Sequence, residues 1–348
     1  MTVINQMIAE AEKQGCSDIH ITVPDAHFRK DGRLYTAVRN QPDLMARAMA
    51  ELMTDAAKDA LTRGGSFDYG FSVSKSTRLR VHLYRTQSGT AAAIRLLPMT
   101  VPAFDVLGLP DILKKLTRLP SGLVIIAGPT GSGKSTTLAA MVSAIAARDG
   151  GHIVTIEEPV EYLLSHPYAL VHQREIGTDA EGFATALIDA LREDPDVIMV
   201  GEMRDRQTIQ SALTAAETGH LVLSTLHTTS AAESIERIVD VFPAEGQRQI
   251  RTQLSTVIGG VFCQRLIPMK SGGRTPAHEV LVATSAVRSM IREGQTHQIA
   301  SVLQTGRDKG MHTLSAHLAS LVRSGAVTRE TAMRFAYDTD GLSRLLDE

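Results

Sequence analysis

The sequence is poor in several things. Tryptophan is absent and aromatic residues make up 4% of the 348 positions. A groove that stacks nucleic-acid bases needs aromatic platforms beside a basic track. The formal net charge of −2 supplies no such track. It also gives no bulk electrostatic reason to expect an anionic membrane surface as partner. The two cysteines, Cys16 and Cys263, are too few for a disulfide framework or a cysteine zinc cage. A reducing cytosol and no zinc are therefore expected. No apolar run reaches the ~18 residues of a membrane span. The opening stretch, MTVINQMIAEAEKQG, lacks the basic start and continuous apolar core of a signal peptide. There is no internal repeat and no low-complexity segment.

What is present is ordinary in bulk: 43% hydrophobic and 21% charged residues, as in a soluble globular protein. The length suggests about two domains at roughly 150 residues each. Val3, Ile4, Met7, Ile8 and Ala11 follow helical spacing, so residues 2–14 read as an amphipathic helix. Ile19, Ile21 and Val23 alternate as in a half-buried strand, and Asp31-Gly32 signals a hairpin. A helix is expected over 42–62. Phe67, Tyr69 and Phe71 alternate, then Leu79, Val81 and Leu83, and TAAAIRLLP closes as a strand. Residues 1–97 thus read as a small α+β domain with an antiparallel sheet. Three prolines mark 98–110 as a linker.

The pattern changes from 111 to 348. LVIIAG, HIVTIEE, DVIMVGE and LVLSTLH are apolar runs separated by helical stretches. One such stretch carries Phe183, Leu187, Ala190 and Leu191 on one face. Fully apolar strands alternating with helices mean an α/β domain whose parallel sheet is covered on both sides. Ligands of such sheets sit at the carboxyl ends of the strands. From about 280 onward the chain reads as helical.

The chemistry falls at those strand ends. GPTGSGKST follows the strand 123–127 and opens a helix, the context that makes a phosphate-binding loop credible. Gly128, Pro129, Thr130, Gly131, Ser132, Gly133, Lys134, Ser135 and Thr136 form the expected ATP-binding stretch. Backbone N–H groups wrap the phosphates, Lys134 reaches the β- and γ-phosphates, and the Ser135 hydroxyl ligates Mg²⁺. VIMVGEMRD ends a strand with Glu202, and VTIEEPVEY ends another with Glu157 and Glu158, with Glu161 following. Phosphoryl transfer to water needs a carboxylate to position the nucleophile and cations to stabilise the transferring charge. A carboxylate cluster alone is usually a solvated loop; beside a phosphate-binding loop it becomes a candidate catalytic set.

At this point the sequence resembles the secretion and type IV pilus ATPases, essentially end to end, and within them the pilus-retraction branch. SDIHI resembles the N-terminal signature, GPTGSGKST the Walker A motif, TIEEPVEY the Asp box, GEMRD (with Glu202 and Arg204) the Walker B motif, and TGHLVLSTLHTTSA the His box. The resemblance implies a PAS-like N-terminal domain, a RecA-like ATPase domain, a homohexameric ring and ATP held between the two domains. By position Glu157 corresponds to the general base and Glu202 to the Walker B glutamate. Glu158 stands where an aspartate is usual, which weakens a direct role for it. Arg80 and Arg95 correspond to arginines that reach the phosphates from the N-terminal domain; the plainer reading is a solvated strand face.

The same resemblance implies a direction for the motor. Assembly and type II secretion members usually carry a four-cysteine zinc insertion, and Cys263 stands alone in VFCQRLIP. AVRSMIRE, with Ala286, Arg288, Ile291, Arg292 and Glu293, resembles the retraction motif AIRNLIRE; the plainer reading is a surface helix with one salt bridge. Arg265 points the other way, toward the secretion members. A retraction motor acting at the cytoplasmic face of the inner membrane, on a platform protein of the pilus machine, is the expectation. The alternatives are a type II secretion or conjugative-transfer motor, a helicase, and an ATP-binding scaffold without turnover. The helicase lacks its basic and aromatic track, and the scaffold reading conflicts with the presence of Lys134, Glu157 and Glu202.

His220 and His227 bracket one apolar run. Six peptide rises separate 221 from 227, about 20 Å in an extended strand, so one straight strand cannot bring both rings to one metal. His227, at the carboxyl edge, is expected to contact the γ-phosphate. His220, at the other end, is expected to link the sheet to a moving interface, with a strand-end histidine as the plainer reading.

Overall fold

The structure is a computed structural model that describes residues 2–30, 32–73, 77–98 and 100–347. Clustering of contacts divides the chain into two compact units, Met1–Thr100 with Pro159–Leu163, and Val101–Glu158 with Leu164–Glu348. The sequence signals gave no hint that 159–163 is counted with the first unit. Most of the stretch 98–110 is counted with the second, and it holds a 3-10 turn at Phe104–Leu107.

The first unit contains α1 (Val3–Gln14), β1 (Asp18–Thr22), β2 (Asp25–Lys30), β3 (Arg33–Val38), α2 (Pro42–Leu52), α3 (Asp55–Thr62), β4 (Phe67–Ser72), β5 (Thr77–Thr86) and β6 (Gly89–Pro98). The six strands form one antiparallel sheet in the order β3-β2-β1-β6-β5-β4. Register explains the alternation read from sequence. Phe67, Tyr69 and Phe71 lie opposite Leu83, Val81 and Leu79, so period-two apolar residues of both strands share one face. That face packs with Ile4, Ile8, Met45 and Leu52 of the helices in a single core. The helix expected over 42–62 is two helices. Met53 turns extended, and Thr54 caps α3 by accepting a hydrogen bond from the Ala57 N–H at 3.1 Å. A threonine whose hydroxyl satisfies an orphan N–H starts a new helix more readily than it continues an old one. Val23 lies in the turn after β1 rather than in the strand, and Asp31 of the expected hairpin signal lies outside the described residues.

The second unit contains α4 (Asp111–Leu116), β7 (Gly122–Ala127), α5 (Lys134–Asp149), β8 (Gly151–Glu157), β9 (Ala169–Glu175), α6 (Phe183–Ala190), β10 (Val197–Val200), α7 (Arg206–Glu217), β11 (Leu221–Leu226), α8 (Ala231–Asp240), α9 (Ala244–Val257), β12 (Ile258–Pro268) and β13 (Arg274–Val282). It ends in α10 (Ser285–Glu293), α11 (Ile299–Thr305), α12 (Leu314–Arg323), α13 (Arg329–Phe335) and α14 (Thr339–Asp347). Its seven strands run β13-β12-β7-β11-β10-β8-β9. Every residue of β7, β10 and β11 is buried, as expected of strands covered on both faces. The sheet is parallel except at β13, which pairs antiparallel with β12. Residues 280–282, expected to be helical, finish this hairpin. No helix among the described residues is long and apolar enough to cross a membrane.

Three histidines meet at the free edge of this sheet. Edge strands expose unpaired N–H and C=O groups that folds cover. The His278 N–H of β13 donates to Nδ1 of His317 at 3.0 Å, and the Val280 N–H donates to the His312 carbonyl at 3.0 Å. A short bridge and one turn of α12 thereby close the edge.

Candidate active site

The register of the parallel strands brings the signalled residues to one edge. Ala127 at the end of β7 lies opposite Leu226 at the end of β11. Val200 of β10 lies between Ser224 of β11 and Ile156 of β8. The next residue in each chain segment is therefore Gly128, His227, Gly201 and Glu157. Crossing hydrogen bonds fix these exits: the Gly128 N–H donates to Leu226 at 3.2 Å, and the Gly201 N–H donates to Ile156 at 2.8 Å.

Gly128, Gly131 and Gly133 have φ of 149°, 76° and 90°, the region that glycine alone enters without strain. A Cβ at Gly128 would stand 2.3 Å from the Gln264 carbonyl oxygen. The loop needs that close approach to curl its N–H groups inward. Lys134, the first residue of α5, is buried, and its Nζ donates to the carbonyls of Gly128 at 2.8 Å and Pro129 at 3.1 Å. Ser135 is exposed beside it. The loop is therefore an anion cradle at a helix N-terminus whose ammonium folds back over its own carbonyls, and its residues fit a nucleotide phosphate and an accompanying cation.

One residue that sequence reasoning missed pins this loop. Gln264 of β12, 3% exposed, donates from Nε2 to the Ser132 carbonyl at 2.6 Å and accepts from Thr137 Oγ1 at 2.8 Å. Gln264→Leu keeps the size but leaves a buried carbonyl and hydroxyl without that partner. We expect a loss of about 1–3 kcal/mol, read as a Tm lower by several degrees, and a raised KM for ATP. Unchanged Tm and KM together would show that the loop holds its shape without this clamp.

Glu157 is 8% exposed. Its Oε1 accepts from Thr155 Oγ1 at 2.7 Å and from Gln173 Nε2 at 2.9 Å. These two neutral donors fix the direction of the carboxylate at the end of β8. Glu202 is ion-paired to Arg204 at 2.7 Å, and His227 Nε2 stands 3.5 Å from its other oxygen. Burial, and next the charge of Lys134, push the His227 imidazole below its ordinary pKa, with Glu202 opposing. A neutral ring beside an anion site is both donor and acceptor. Glu158 is exposed.

His220 lies at the other end of β11. Its Nδ1 is 3.0 Å from the Ala215 carbonyl and 3.2 Å from Thr218 Oγ1, and its own carbonyl accepts from Gly122 at 3.0 Å. It ties the end of α7 to the starts of β7 and β11 and shares nothing with His227.

Arg80, Arg95 and Glu161 belong to the first unit. Arg80 and Arg95 face each other across β5 and β6. Arg80 pairs with Asp68 at 3.5 Å, and Arg95 with Asp18 at 2.9 Å. In the second unit, α10 carries the AVRSMIRE stretch. Val287 and Ile291 are buried and Ala286 is exposed. The expected salt bridge is replaced by other bonds. Arg288 donates to the carbonyl of Ser255 at 2.8 Å and to that of Thr256, at the C-terminus of α9. Among the described residues Arg292 reaches Ser255 Oγ at 3.5 Å, and Glu293 accepts from Ser289 at 2.8 Å. Arg265 lies over the Tyr337 ring, 3.8 Å from its centroid, and bonds the Phe335 carbonyl at 3.4 Å.

Comparison with known proteins gives the chain its family. The family model described as type II/IV secretion system protein matches residues 1–334. The chain is 43% identical to the type IV pilus retraction ATPase PilT of Pseudomonas aeruginosa, over 94% of this chain and 96% of that protein. It is 45% identical to a twitching motility protein of Neisseria gonorrhoeae, over 87% of this chain and 83% of that protein. The crystal structure of the pilus retraction motor PilT with bound ADP superposes with a TM-score of 0.90 at 41% identity, covering 99% of both chains. The chain belongs to the type II/IV secretion system protein family.

Proposed function

We propose that the chain is an ATP hydrolase motor that powers type IV pilus retraction. The observation that carries the reading is the strand register that sets the phosphate-binding loop, Glu157, Glu202 and His227 along one sheet edge. The loop N–H groups that follow Pro129 bind the phosphates at the start of α5. Lys134 leaves its two carbonyls for the β- and γ-phosphate oxygens. Glu157 accepts a proton from water as that water's oxygen bonds the γ-phosphorus and the bond to the bridging oxygen breaks, giving ADP and phosphate. His227 donates to the γ-phosphate. Ser135, with Glu202 through water, would hold Mg²⁺, which when bound neutralises charge on the β- and γ-oxygens. Arg80 and Arg95 supply two further cations to the phosphates.

The motor works as a homohexamer at the cytoplasmic face of the inner membrane, on a platform protein of the pilus machine. Deletion of the gene should leave cells hyperpiliated and unable to twitch. Normal piliation with normal motility would overturn the reading.

The α10 stretch separates retraction from other secretion work. Arg288 holds the end of α9, so its replacement confounds stability with function. Arg292 is exposed, and its contact to Ser255 Oγ is long at 3.5 Å. Arg292→Ala should keep Tm and ATP hydrolysis within about twofold, as surface changes usually do, yet abolish twitching when it replaces the native gene. Full twitching by this variant would remove α10 from the retraction argument.

A further inference from the structure

We propose that Gln173 of β9 is a positioning residue that aims the Glu157 carboxylate from the point where the chain re-enters the second unit. The inference rests on the reading of Glu157 as the general base. The chain leaves the second unit after Glu158 and returns to it at Leu164. One half-buried amide holds both ends of that departure. Gln173 Nε2 donates to Glu157 Oε1 at 2.9 Å, and Gln173 Oε1 accepts from the Leu164 main-chain N–H at 2.7 Å.

Strand register puts the amide there. β8 and β9 run parallel, with Thr155 opposite Gln173 and Glu157 opposite Glu175. Residues two apart on a strand share a face, so Thr155, Glu157 and Gln173 stand on one side of the sheet. Glu157 is then the diagonal neighbour of Gln173, within reach of a long side chain. Thr155 Oγ1 donates to the same Oε1 at 2.7 Å. Donors prefer to lie near the plane of a carboxylate oxygen, along its lone pairs. Two donors on Oε1, one from each strand, therefore set the plane of the carboxylate and with it the direction of Oε2.

The amide itself is held the right way round. A main-chain N–H only donates, so the oxygen of Gln173 faces Leu164 and its NH₂ group faces Glu157. Turned over, the amide would set N–H against N–H and oxygen against carboxylate. Leu164 thus decides which end of Gln173 meets the base. A displacement near 1 Å in a reacting group costs up to about 10²-fold in rate, so a relay of two hydrogen bonds is large enough to govern turnover.

The test is a mutant cycle on the full-length chain, with kcat and KM for ATP read by phosphate release and native circular dichroism checked for each variant. Gln173→Met keeps the length of the side chain and removes both bonds. It should lower kcat by about 10- to 10²-fold, with KM within about threefold of the parent because ground-state binding is untouched. Gln173→Glu is isosteric, keeps an acceptor for Leu164 and loses the donor to Glu157, so its kcat should fall as far; it carries the test should the methionine variant misfold. The double variant Glu157→Gln/Gln173→Met should turn over within about twofold of Glu157→Gln alone, since a residue that acts only through the base has nothing left to act on. Parent-like kcat in Gln173→Met or Gln173→Glu would overturn the assignment. So would a rise in KM that matches the fall in kcat, or a further fall in the double variant as large as that of Gln173→Met in the parent. In all of these cases Glu157→Gln remains slow. Parent-like kcat in Glu157→Gln itself would instead remove the general-base reading, and this inference with it.

Discussion

Lys134→Ala should fold and lose ATP hydrolysis by at least about 10²–10³-fold, the scale on which removing one preorganised cation or donor slows a charged transition state. The side chain is buried at the start of α5 and bonded to two loop carbonyls. Alanine frees those carbonyls to water through the loop, so the stability cost stays near the 1 kcal/mol of ordinary hydrogen bonds. The rate loss far exceeds it. Steady-state phosphate release beside a thermal melt separates the two. Turnover within tenfold of the parent at an unchanged Tm would remove Lys134 from catalysis and with it the motor reading.

Glu157→Gln should lower kcat by about 10²–10⁴-fold, the range for a positioned general base, while ATP binding stays within a few-fold. The substitution is nearly isosteric. Its amide oxygen still accepts from Thr155 and Gln173, as Oε1 does now at 2.7 and 2.9 Å, so the strand end keeps its shape. What disappears is the charge that takes the proton from water. Nucleotide affinity by equilibrium titration and kcat by product release give the split. A weakened affinity with unchanged kcat would make Glu157 a binding group. Equal loss of both would make it a folding group.

Much of this site was legible because its signals are local. A phosphate-binding loop declares itself through glycines at fixed offsets between a strand and a helix. Glu157, Glu202 and His227 declare themselves because each is the first charged or titratable residue past a mostly apolar run. What sequence could not carry is pairing across distance. Gln264 lies 132 positions from the carbonyl it holds, and nothing in QRL distinguishes a clamp from a surface amide. Gln173 stands on β9, whose residues alternate in burial without a strongly apolar run, so neither the strand nor its hydrogen bond to Glu157 was visible. The break in the 42–62 helix was signalled by Thr54-Asp55, yet the apolar spacing on both sides outweighed one capping residue. The β12–β13 hairpin went unread because its strands carry Gln, Arg, His and Glu amid apolar residues. Arg288 was marked by a motif match alone, and its bonds to the end of α9 are visible only in the fold.

Adjacent residues of β12 face opposite sides of the sheet. Gln264 holds the phosphate-binding loop on one side, and Arg265 holds Tyr337 and the Phe335 carbonyl on the other. The strand between them is hydrogen-bonded to β7 along one edge and β13 along the other, so it resists sliding and yields more readily by twisting. One dipeptide thus fastens two unlike things to a single strand, the curl of the phosphate-binding loop and the seat of the last helices.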